Sequence, residues 1–399
     1  MTYFFVQGNL HAQQTETWST KSSMPEGRHH PVTWNFGDTG YVVTGSNAND
    51  IPTDDFYSYD PATDTWTTKT DFPGPVRSFA IGEEYNGKGY LGFGANSFYL
   101  NDLWEYDPAT DSWTQLASCP CSGRRHPAMV IQDGRLFVGL GDDNTGNLDD
   151  WWEYDIATNT WTEREDLPGA PRHHPFQFKA GDGVYVGLGH GSRRPFIYKD
   201  WYRYDLDSNK WEKMNDFPGE SRVAGTQFDR NGLGYVLSGD GSDHSWMQEG
   251  EFWEYDPAVD TWTELTPHPG ISKWAPGSFL LGDTLYFLAG QNRDQGVNTD
   301  DNMAYTFATP TVSIREQKSQ NQAVLRLYPN PAHHQFQISH SQPLETLRIY
   351  NLQGALLRRY DVKSNAVSIG TEGLTQGIYI VEAEQTDGVR KRKRLQIRP

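Results

Sequence analysis

The chain has 399 residues, a formal net charge of −18 and 14% aromatic residues, with Gly and Pro together contributing 62 positions. That composition suits one large or two ordinary domains of an all-β protein rich in turns. No run of 18 apolar residues is present, so a transmembrane helix is not expected.

The charge is uneven. Residues 311–399 hold 13 basic and 7 acidic side chains, a balance of +6, so residues 1–310 hold 21 and 45, a balance of −24. The larger part should therefore repel nucleic acid and anionic membranes.

Residues 1–13 read as a signal-peptide remnant or a disordered tail, because Tyr3-Phe4-Phe5-Val6 is too short for a complete leader. A repeat follows. Its signature is Tyr59-Asp60-Pro61-Ala62-Thr63-Asp64-Thr65-Trp66, with Tyr106 to Trp113 and Tyr255 to Trp262 as close copies. Tyr154 to Trp161 and Tyr204 to Trp211 are looser copies. Counting Trp18 first, the tryptophans are spaced by 48, 47, 48, 50 and 51 residues. A period near 50 with an aromatic mark indicates a propeller.

Each repeat reads as four strands, a to d. A Pro/Gly turn and a cation precede strand a. A Gly turn leads to strand b, which ends in Gly, and a variable polar loop leads to the aromatic strand c. An Asp-Pro turn then leads to strand d with its Trp. In that turn Pro presets φ and Asp bonds back to following amides. The Tyr and Trp are expected as core between blades.

The sixth repeat lacks strand d, whereas Thr15-Glu16-Thr17-Trp18 resembles a strand d without a blade. Pairing the two closes a six-bladed ring over residues 14–309, with Trp18 beside the strand at Met303 to Phe307. The Gly-ended b strand, aromatic c strand and late Trp resemble the kelch family. The family's Gly-Gly doublet is mostly missing, as in Thr44-Gly45, Leu140-Gly141 and Ala289-Gly290.

Residues 310–322 read as a polar linker and 323–399 as a small Ig-like β-sandwich. Its Tyr328-Pro329-Asn330-Pro331-Ala332 start, its Ile349-Tyr350-Asn351-Leu352-Gln353-Gly354 middle and its late Gly377-Ile378-Tyr379 occur in order. These motifs resemble the type A C-terminal sorting domain of the type IX secretion system. The resemblance implies a Bacteroidetes-type bacterium, passage through the periplasm, contact with the secretion machinery, and delivery to the cell surface or medium. The basic run Lys391 to Arg394 then reads as a solvated recognition end.

Eleven residues after each Trp lies a cation: Arg77, Arg124, Arg172, Arg222 and Lys273, with Arg28 one residue early. On the innermost strand these six are expected to ring one mouth of the channel and bind an anion. Internal pairing with an acid of the next blade is the competing expectation. In four repeats the cation opens a longer motif: Arg28-His29-His30-Pro31, Arg124-Arg125-His126-Pro127, Arg172-His173-His174-Pro175 and Lys273-Trp274-Ala275-Pro276. Neighbouring strand residues face opposite sides, so at most His30, His126 and His174 would share one direction. No metal site is assigned to them.

The b–c loops add Arg193, Arg194, Trp246 and Asn292 as candidates beside Trp274. No cofactor is assigned. Asp142-Asp143-Asn144 and Asp240-Gly241-Ser242-Asp243 would be the places for Ca²⁺. Cys119 and Cys121 read as two loop thiols, with a local disulfide as the alternative.

No nucleophile–base pair, phosphate loop or zinc helix is present. The expected function is a monomeric, exported binding or adhesion module for an anionic glycan or acidic protein. The alternatives are an enzyme on a carboxylated sugar, similar to kelch sialic-acid mutarotases, and a purely structural surface protein. Arg172→Ala is expected to weaken anion binding without unfolding.

Overall fold

The computed structural model describes residues 17–307 except 182, together with 326–328, 332, 334–351, 355–385 and 390–397. The expected leader remnant, the linker at 310–322 and the Pro329–Pro331 part of the sorting motif lie outside the described residues. Contacts divide the chain into two units, 1–311 and 312–399.

The first unit is built from six four-stranded antiparallel sheets. Blade 1 runs Val32–Phe36, Thr39–Val43, Phe56–Asp60 and Thr65–Thr68 from a to d. Blades 2 to 5 repeat the order, with strand a at Ile81–Tyr85, Ala128–Gln132, Phe176–Ala180 and Thr226–Arg230. Blade 6 takes a to c from Gly277–Leu281, Thr284–Leu288 and Asn302–Thr306, and its outer strand from Trp18–Lys21. Trp18 stands opposite Tyr305 in that pairing. The a strands touch one another in cyclic order, blade 6 against blade 1 included.

Ring closure has a backbone device as well. The glycine ending each b strand donates its N–H to the carbonyl of the cation at the start of the next blade. Gly45 bonds Arg77 at 3.1 Å, Gly141 bonds Arg172 at 2.8 Å, and Gly290 bonds Arg28 at 2.8 Å across the closure. A Cβ on Gly141 would lie 2.5 Å from the Arg125 carbonyl oxygen, at a φ of +88°. Only glycine fits such an approach.

The residue before it is not glycine here, yet it also turns left-handed: φ is 58° at Thr44, 62° at Phe93, 60° at Leu140 and 56° at Leu188. The missing half of the Gly-Gly doublet is thus a conformational demand met by other residues at some strain.

The signature turn works as its residues suggest. Asp60, Asp107 and Asp256 each accept an N–H from the Ala two residues on, at 2.8 to 2.9 Å. The later Asp or Asn sits at positive φ and accepts the Tyr hydroxyl five residues back, as Asp64 does from Tyr59 at 2.7 Å. The Trp rings lie against those Tyr rings, 4.9 Å apart for Tyr59 and Trp66, and Trp66 Nε1 donates to Ser22 of the adjoining segment.

Cys119 and Cys121 are joined in a disulfide and both are buried, which overturns the reading as two loop thiols. The bridge packs against Tyr90, Leu103 and Met129 between blades 2 and 3.

The second unit is a five-stranded antiparallel set. Its long strand Gln335–Tyr350 changes register between Ser339 and Leu344. The first half pairs with Arg326–Tyr328 and the second with Gly377–Gln385, while Leu356–Gly370 follows both. Phe336, Ile338, Leu347, Ile349, Val381 and Leu395 fill its core.

Candidate functional site at the channel mouth

The six cations do not present their charges to a ligand. Arg28, Arg77, Arg124, Arg172 and Arg222 are completely buried, and Lys273 nearly so. Arg28 forks onto Asp55 at 2.7 and 2.6 Å, Arg77 onto Asp102 at 2.7 and 2.6 Å. Arg124 forks onto Asp150 at 2.5 and 2.7 Å, and Arg172 onto Asp200 at 2.6 and 2.7 Å.

Each acid precedes strand c of the same blade, not the next one. The same Nη1 donates to the carbonyl of the left-handed residue after strand b: Thr44, Phe93, Leu140 and Leu188, at 3.0 to 3.1 Å. Arg222 bonds Glu251 and Lys273 bonds Asp301 in the equivalent places. The cation thus ties three strands of its blade and holds the strained residue in place. The expectation that these six form an anion ring is corrected. A cation at the start of strand a is clamped sideways into its own blade, because a carboxylate is supplied there in every repeat.

Two residues beyond each cation the chain turns left-handed again. The residues there are His30, Phe79, His126, His174, Ala224 and Ala275, with φ between 49° and 61°. Backbone bonds link them around the axis: His30 N–H to Ala275, Ala275 to Ala224, His174 to His126, and His126 to Phe79, at 2.7 to 3.1 Å. This belt sends the six side chains into the neck of the channel. The His126 and His174 ring centres are 3.5 Å apart, and that of His30 is 5.1 and 5.0 Å from them. Each of the three offers one nitrogen, and those nitrogens lie within 4.8 Å of one another. Burial, then neighbouring histidines, hold all three rings well below the usual histidine range, so they are neutral at pH 7.

Below the belt the channel encloses about 260 Å³, lined by the a strands. Towards the ends of those strands stand Glu83, Glu84, Lys179 and Asp229. Burial pushes the Glu83 carboxyl up to about 8 against the pull of Lys179.

Above the belt the intervening residues His29, Arg125, His173 and Trp274 join the b–c loops. Arg125 holds Asp142 at 2.5 Å and lies over Tyr99, 5.2 Å from its ring centre. Arg293 lies 5.2 Å over Trp274 and 3.5 Å from Asp240. His244 Nδ1–H donates to Asp240 at 3.0 Å, and its ring is 5.2 Å from that of His190, which adjoins His173 at 4.9 Å. Arg125 and Arg293 keep 36% and 30% of their side chains exposed, so both guanidinium groups are reachable from the mouth.

Among the loop candidates, Arg193 and Arg194 are exposed on the blade 4 loop, with Arg194 over Phe196. Trp246 is half-buried in the blade 5 loop, and Asn292 accepts the Gln295 N–H at 3.2 Å. The carboxylates of the two calcium candidates are engaged by protein groups: Asp142 by Arg125 and His126, Asp143 by Thr145, Asp240 by His244 and Arg293, and Asp243 by Ser245. Among the described residues the three neck histidines are the one group able to hold a metal ion.

Sequence reasoning missed His190, His244 and Arg293. They lie in loops that differ from blade to blade, where the period carries no information. Arg125 stood inside a quoted motif, but its outward direction is set by the left-handed residue after it.

The model of the KLHDC2/KLHL20/DRC7 kelch-repeats domain matches residues 3–138, and that of the secretion system C-terminal sorting domain matches residues 326–398. No curated protein matches the chain. Among solved structures it is similar to the one titled "Structure of YjhT", with a TM-score of 0.59 and 18% identity over 71% of this chain and 95% of that one. No helix among the described residues is long and apolar enough to cross a membrane.

Proposed function

We propose that this chain, a kelch-repeat propeller exported to the surface or medium by its type IX sorting domain, is a binding module for an anionic glycan or acidic protein. The ligand sits on the b–c loop mouth. The observation that carries this reading is the placement of Arg125 and Arg293, each half-open, each stacked on an aromatic face, and each paired to a single carboxylate. An incoming carboxylate or sulfate exchanges with Asp142 or Asp240 on the same guanidinium, while Tyr99, Trp274 and the exposed Phe98 offer faces for sugar rings.

The test is a glycan and acidic-peptide array probed with the full chain, followed by titration of any hit. Arg125→Ala and Arg293→Ala should each weaken binding about tenfold, with binding falling as salt rises. Binding indifferent to both variants and to salt would refute the reading. Anomeric conversion of a bound carboxylated sugar, followed by NMR, would turn the same mouth into that of an enzyme.

A further inference from the structure

We propose that His30, His126 and His174 form a mononuclear site for a late first-row divalent cation, Zn²⁺ as its expected occupant, with one coordination position open to the channel. The proposal does not rest on the mouth's ligand, although Asp142 serves both places, pairing with Arg125 there and with His126 here.

The geometry is that of three imidazoles brought to one point by a repeated backbone turn. Tetrahedral zinc at about 2.0–2.1 Å from each nitrogen needs nitrogens about 3.3 Å apart. His30 Nε2 and His174 Nε2 stand at 2.7 Å, and all three donor nitrogens fall within 4.8 Å, so small ring rotations suffice.

Hydrogen bonds set the tautomers that ligation requires. Asp142 Oδ1 lies 3.1 Å from His126 Nδ1, fixing the proton there. His126 Nε2 is then a bare lone pair, and it is buried without a partner. A second chain runs from Asp50 to His29 Nε2 at 3.2 Å, and from His29 Nδ1 to His30 Nδ1 at 2.6 Å. His29 Nε2–H donates to the Asp50 carboxylate, His29 Nδ1 accepts from His30 Nδ1–H, and His30 Nε2 is left as a lone pair facing the axis. Such carboxylate–histidine partners orient metal ligands and raise their basicity.

His174 completes the set. Its Nε2–H donates to His30 Nε2, and its Nδ1 is buried without a partner. Ligation through Nε2 moves that proton to Nδ1 of the same ring. All three ligands stay neutral and no net proton is released. Imidazole sets of this kind suit zinc, copper, nickel and iron, and three protein ligands leave a fourth position for water or another donor. That position faces the 260 Å³ channel.

The test uses the full chain after chelation and dialysis. Co²⁺ is titrated and followed by its ligand-field absorption, Zn²⁺ competes it out, and calorimetry gives the stoichiometry. One equivalent with low-symmetry, four- or five-coordinate bands is expected. His126→Asn and His174→Asn should each weaken binding at least about tenfold, and Asp142→Asn, acting by position, by a similar factor. Asn is chosen because it tolerates the left-handed backbone at φ of 51° and 49°. His190→Asn, which lies outside the three-histidine neck, should leave Co²⁺ binding unchanged. Should a neck variant fail to fold, histidine nitrogen NMR of the wild-type chain decides: the Nε2 signals of these three rings must shift on adding Zn²⁺. No saturable binding would overturn the proposal. So would binding that survives both neck variants, or zinc shifts confined to His173, His190 and His244.

Discussion

Arg172→Ala should cost stability, not only affinity. The guanidinium is wholly buried and spends Nη1 and Nη2 on Asp200, Nη1 again on the Leu188 carbonyl at 3.0 Å, and Nε on the Ala170 carbonyl at 2.9 Å. Removing it leaves two carbonyls and a carboxylate without their donor. Breaking a buried pair from one side costs about 3–5 kcal/mol. Asp200 keeps 22% of its side chain exposed and regains some water, which favours the lower end, about 3 kcal/mol. In a unit of this size that lowers Tm by roughly 5 °C. Scanning calorimetry of the chain reads it directly. The double change Arg172→Met with Asp200→Leu should recover part of the loss, because an apolar pair leaves no buried charge unpaired. A Tm within about 2 °C of wild type, with ligand binding abolished, would place the guanidinium in a binding site and refute the reasoning.

Trp18→Ala should also lower the melting temperature: the ring lies 5.1 Å from Tyr305, and 6.3 and 6.1 Å from Phe252 and Phe287, and being half-buried it contributes about 2 kcal/mol to closure. An unchanged melting curve would contradict closure by the N-terminal strand. Glu83→Gln should stabilise the protein at pH 8 and leave it unchanged at pH 4. The folded carboxyl holds its proton up to about 8, above its unfolded value of 4.5, so stability falls as pH rises between the two. The effect at pH 8 is on the order of 1–2 kcal/mol, since the group faces a lumen. A parallel pair of Tm–pH curves would count against it.

The repeat made the fold legible because it records demands that recur from blade to blade. In five blades a Tyr must reach the Asp or Asn five residues on. In all six a Trp must lie over the Tyr of strand c, and a glycine must let the next blade approach. The same period marked the six cations, yet it could not say where they point. Period fixes position along the chain; direction depends on φ. The cation lies between two left-handed residues in space, the one after strand b and the one two places beyond itself, and between them the guanidinium is turned into the blade.

That logic also explains why the neck histidines were separable from their neighbours in sequence. Alternation placed His29, Arg125 and His173 on one side and His30, His126 and His174 on the other, and the side chains divide that way. What alternation could not supply was convergence. Ala224 and Ala275 occupy the same ring positions in blades 5 and 6 and leave room on the axis that a larger side chain would fill. Three imidazoles meet there because two of the six positions are small and one is Phe79. The ring is six-fold in backbone and unsymmetric in chemistry, with histidine in blades 1, 3 and 4 only, and the departure from the repeat, not the repeat, carries the proposed site.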